Sequence, residues 1–104
     1  MKKPRWFAMS RQPSQYPTVG LFRNDTQTEM RLFLEMIPEE VVLLPGHCVE
    51  LLARSTPGLL PLTIDLVDGG VQIHAHNEVD PDWHVRFNGK LIRAGSPTLL
   101  KDYE

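Results

Sequence analysis

Between Leu62 and Arg93 apolar and polar side chains alternate with period two, the spacing at which a strand shows one face to a core and the other to water. Leu62, Ile64 and Leu66 alternate with Thr63, Asp65 and Val67. Val71, Ile73 and Ala75 then alternate with Gln72, His74 and His76. Asp68-Gly69-Gly70 joins the two runs with residues that suit a tight hairpin turn. A second unit repeats the pattern. Trp83, Val85 and Phe87 alternate with His84 and Arg86, Asn88-Gly89 is a hairpin signal, and Lys90 to Arg93 is the return strand.

The first half is less regular. Thr18 to Arg23 predicts a short strand, followed by the polar turn Asn24-Asp25-Thr26-Gln27. Met30, Leu32, Leu34 and Met36 alternate with charged residues and Phe33. A helix competes there, because Thr26 and Glu29 have capping-box spacing and Met30, Phe33, Leu34 and Ile37 fall on one helical stripe. The strand reading is preferred, since the helix leaves Leu32 and Met36 off the stripe. Glu39-Glu40 reads as a solvated turn before the apolar run Val41 to Leu44, and Pro45-Gly46 closes that run. Cys48 to Ala53 suits either a strand or a short helix. Leu99, Leu100 and Tyr103 are expected to tie the tail to the body. The expectation is a mainly β fold, a small antiparallel sandwich or partly open barrel, with at most one short helix at 27–37 or 47–54. An α+β domain is the alternative.

Residues 1–17 carry Pro4, Pro13 and Pro17 among polar residues, which disfavours regular structure. They are read as an extended arm ahead of a single β-rich domain at 18–104. The 104 residues support one domain with one core. Charge is uneven: residues 1–23 sum to +5, residues 24–82 to -9 and residues 83–104 to +2, within a net charge of -2. A basic arm beside an acidic body suggests docking on its own body or on a partner. One cysteine, Cys48, excludes an internal disulfide and CxxC chemistry. No run approaches the roughly 18 apolar residues of a membrane span, and Ser10 to Pro13 interrupt any signal-peptide core. No membrane association and a cytoplasmic setting are therefore expected.

Three histidines offer metal chemistry. His74 and His76 share a strand face about 6–7 Å apart, and a return of the chain would bring His84 beside them, with Glu78 or Asp80 as an oxygen ligand. Such a set suits zinc, iron or manganese. His74-x-His76 is similar over about ten residues to the opening of cupin metal boxes, but the glutamate expected three or four residues past the second histidine is absent, Asp80 being the acid at that spacing, so no family follows. Polar-face histidines are equally at home in solvent, and no bound cofactor is the first expectation. His47 and Cys48, being adjacent, point to opposite sides of a strand, so the thiol is read as structural and at least partly buried. Asp65 and Asp68 read as surface and turn acids rather than an acid–base pair.

Three functions follow as expectations. The first is a non-enzymatic binding or assembly protein, acting on a protein partner or on itself as a homodimer. There Lys3, Arg5, Trp6, Phe7 and Arg11 supply charge and aromatic anchors, and uncovered strand edges invite pairing. The second is a metal-dependent enzyme or sensor built on His74, His76 and His84. The third is single-stranded nucleic-acid binding through the arm with Arg86, Lys90 and Arg93.

Overall fold

The computed structural model describes residues 12–35, 38–76 and 80–104. Nine strands lie within them: β1 (Thr18–Arg23), β2 (Met30–Leu34), β3 (Glu39–Leu43), β4 (Cys48–Leu52), β5 (Thr63–Val67), β6 (Gly70–His74), β7 (His84–Phe87), β8 (Lys90–Arg93) and β9 (Thr98–Leu99). They form two sheets, ordered β1-β4-β7-β8 and β5-β6-β2-β3-β9. The inner faces meet in one core that includes Leu32, Leu34, Val41, Leu51, Ile73 and Val85. Trp83, 1% exposed, closes the core at one end, and its indole N–H donates to the Glu35 carbonyl. The fold is thus the expected small β sandwich, neither a closed barrel nor an α+β domain. Among the described residues the only helical pieces are single 3-10 turns at Pro13–Gln15 and Leu100–Tyr103.

Both predicted hairpins form. Val67 pairs with Gly70 across Asp68-Gly69, and Phe87 pairs with Lys90 across Asn88-Gly89. Asn88 and Gly89 have φ of 51° and 76°, the twist of a type I′ turn. Gly70 is needed for a different reason, since a Cβ there would lie 1.8 Å from the Arg31 carbonyl oxygen.

The larger sheet departs from an all-antiparallel expectation. β6 runs parallel to β2 and β9 runs parallel to β3. Sequence neighbours such as β3 and β4 lie in different sheets, so the chain returns to the larger sheet after long excursions, and such returns permit parallel pairing. Asn24, 3% exposed, fastens the excursions where β1 leaves for β2 and β3 leaves for β4. Its side-chain amide donates to the carbonyls of Thr28 and Leu43, both at 2.9 Å. Its Oδ1 accepts from the Thr26 N–H and hydroxyl.

The preferred strand reading holds at Met30–Leu34, and Cys48–Leu52, open between strand and helix, is a strand; β2 and β4 each have a strand on both sides to supply ladder bonds. Two local expectations are corrected. Glu39 and Glu40 open β3 rather than forming a solvated turn, and Glu40 pairs with Arg31 at 2.7 Å. Cys48 is exposed, since Val49 and Leu51 take the inner face of β4 and leave Cys48 outward.

Candidate functional site

The five-stranded sheet is one strand wider than its partner, and β5 is the strand left over. On β6, Ile73 is fully buried and Val71 packs against the core. Their cross-strand partners Ile64 and Leu66 share that inner face, yet they are 52% and 88% exposed. β5 therefore projects beyond β1, the near edge of the smaller sheet, and none of the described residues covers its core-facing side. Burying such a side chain is worth about 1.5–3 kcal/mol, so an uncovered Ile and Leu on one short strand forgo a substantial stabilisation. The backbone of this strand is open as well. The Ile73 carbonyl accepts from the Glu35 N–H on β2, away from β5, so Ile64 faces Ile73 without exchanging backbone bonds. By alternation the N–H and C=O groups of Ile64 and Leu66 point out of the sheet edge.

The other three edges carry protection. β8 holds Lys90 and Arg93, β9 is two residues long, and β1 has a register shift between Thr18 and Gly20. These are recognised guards against edge pairing. β5 has only Asp65, engaged by His74 at 3.5 Å. Two further apolar side chains stand on the outer faces of these neighbouring edges: Leu21 of β1, 76% exposed, and Val67 of β5, 38% exposed.

The three metal candidates do not converge. His74 ends β6 in the larger sheet and faces Asp65, while His76 bonds the Thr63 hydroxyl. His84 opens β7 in the smaller sheet, buried with its ring 5.6 Å edge-on from Tyr16 and its Nδ1 2.7 Å from the Asp82 carbonyl. The anticipated return of the chain crosses to the other sheet and separates His84 from the pair. Among the described residues no group of three or more His, Cys, Asp or Glu is placed to hold a metal ion. Glu78 lies outside those residues.

The basic residues are also dispersed. Arg86 pairs with Glu50 at 3.1 Å, Lys90 donates to the Tyr103 carbonyl, and Arg93 lies 3.6 Å from Asp82. Each is engaged within the protein, so they form no bare cationic stripe. Lys3, Arg5, Trp6, Phe7 and Arg11 lie outside the described residues. The end of the proposed arm is fixed on the smaller sheet: Tyr16 is buried against His84, and Arg86 reaches the Ser14 carbonyl.

Sequence reasoning missed a polar cluster beside Trp83. Asp82 accepts from the Tyr16 hydroxyl at 2.7 Å and lies 3.6 Å from both Arg54 and Arg93. Burial raises the Glu39 pKa; Asp80 and Asp82 push the same way and Arg93 opposes them. Burial likewise raises the Tyr16 hydroxyl. Glu39 Oε2 is buried without a hydrogen-bond partner among the described residues. The signal available in the sequence was weak, since it consisted of acids 41 or more positions apart from Glu39 that only the fold brings near. His47, buried, accepts from the Leu44 N–H through Nδ1 and faces Glu104 through Nε2, which pins the C-terminus.

Known protein families, curated proteins and solved structures yield no match to this chain.

Proposed function

We propose that the protein is a non-enzymatic assembly module that acts through protein–protein contacts, and that the overhanging strand β5 is its contact surface. One observation carries the reading: among the described residues, β5 combines a backbone edge that pairs with no further strand with exposed core-facing side chains Ile64 and Leu66. Backbone groups supply affinity in strand addition, and alternate side chains supply specificity. The dispersal of His74, His76 and His84 favours this reading over metal chemistry, and the engaged state of Arg86, Lys90 and Arg93 favours it over nucleic-acid binding.

The test is a photo-crosslinking amino acid placed at Leu66 of the full chain in the native cell, with one at exposed Ser55 as control. A discrete protein adduct, to any partner including the same chain, is expected at 66 and not at 55. No adduct at 66 contradicts the proposal.

A further inference from the structure

We propose that the partner of β5 is a second copy of this chain, joined by a lap joint in which each overhanging strand covers the other. The inference rests on the assembly reading above and names its partner. A sandwich with five strands over four is a shape that completes itself. A two-fold axis parallel to the strands, set between the layers, carries the five-stranded sheet of one copy into the layer of the other copy's four-stranded sheet. The two β5 strands then face each other across the core, and each β5 edge abuts the β1 edge of the other copy. Both layers become continuous nine-stranded sheets, and the contact closes with two-fold symmetry rather than propagating.

Three features of the chain meet this arrangement. The two most exposed apolar residues of β5 lie on its core-facing side, where Ile64 and Leu66 meet the same residues of the other copy in the gap of about 10 Å between packed sheets. The second feature lies on the outer faces. Leu21 of β1 and Val67 of β5 are exposed apolar residues on the two edges that the joint brings side by side.

Charge complementarity is the third. Phe22, Arg23 and Asn24 of the β1 end line one cleft with Gly70 and Val71, and Val67 pairs with Gly70, so the end of β1 and the end of β5 lie at the same end of the sandwich. An axis along the strands keeps them level. Arg23 of one copy, paired with Asp25 of its own copy at 3.3 Å, therefore comes beside Val67 and Asp68 of the other, so Asp68 meets an ion pair that contains a cation rather than a second Asp68. Direct pairing of β5 with β5 about an axis centred on Asp65 would oppose two like charges, a destabilising cross-strand pair.

Sedimentation of the full chain, carrying Cys48→Ser to remove the exposed thiol, tests the joint. The expected species has twice the 11.9 kDa chain mass from low micromolar concentration upward. Leu66→Lys is expected to weaken association at least a hundredfold while keeping the wild-type circular dichroism spectrum and a cooperative melt. Leu91→Lys, on the distant β8 edge, leaves the dimer intact. A short bismaleimide is then applied to Leu21→Cys and Val67→Cys chains. Crosslinks are expected only when the two variants are mixed, never within either alone. A monomer at all concentrations up to millimolar overturns the inference, as does a dimer indifferent to Leu66→Lys or one lacking the mixed crosslink. A monomer whose residue 66 still captures a different protein overturns the second copy alone and leaves the assembly reading standing. Absence of any adduct at 66 removes both.

Discussion

At the scale of single residues, three positions carry consequences that a substitution reads directly. Gly70 has no space for a Cβ, because the nearest atoms are the backbone of Arg31 rather than a side chain that can swing away. Gly70→Ala is therefore expected to destabilise the fold by at least about 3 kcal/mol, seen as a lower denaturant midpoint. Asn24→Ala removes an amide that satisfies two carbonyls and two donors in a buried site, and about 2–3 kcal/mol of lost stability is expected in the same assay. Glu39 works in the opposite sense. Its folded pKa is raised, so the native state holds this proton more tightly than the unfolded chain does. The resulting stabilisation is complete below the ordinary carboxylate range and disappears as pH rises through the raised value. Glu39→Gln is thus expected to melt at a higher temperature than wild type at pH 7, with the difference closing as pH falls into the ordinary carboxylate range. Equal melting temperatures at pH 7 would contradict this account of the buried carboxyl.

At the scale of elements, the alternation from Leu62 to Arg93 corresponds to two real hairpins, because each is local and its turn residues state the connection. Asn88-Gly89 named its own geometry: both residues adopt positive φ, as a type I′ turn requires. Gly89→Val, forcing a β-branched residue to a φ of 76°, is expected to destabilise by about 1–2 kcal/mol by chemical denaturation. What stayed illegible was pairing at a distance. Nothing in Met30–Leu34 or Gly70–His74 announces that the two strands run side by side and parallel. The same limit hid the site. Leu62, Ile64 and Leu66 read as a buried stripe, and their chemistry is that of one, but whether a second layer reaches far enough to cover them depends on the strand count of each sheet. The separation of His84 from His74 and His76 was hidden for a related reason. Their faces were legible from period two, but the sheet to which His84 belongs was not.

At the scale of the whole molecule, the sandwich is finished on one flank and open on the other. At the finished flank β9 is short, the turn Leu100–Tyr103 buries Leu100 in the core, and Glu104 meets His47. At the open flank one extra strand leaves an apolar ledge and a row of backbone groups that no described residue pairs, beside a β1 edge that displays Leu21. An exposed regular edge of this kind is an aggregation hazard unless something occupies it. Occupation by another polypeptide is therefore the claim on which the functional account turns, and amide hydrogen exchange along β5 reads it most directly. In the full chain at a concentration where it associates, the amides of Ile64 and Leu66 are expected to exchange as slowly as those of Thr63 and Asp65, which already bond to β6. Rapid exchange at Ile64 and Leu66 beside slow exchange at Thr63 and Asp65, unchanged with concentration and in the native cell extract, would show the edge to be bare and contradict the account.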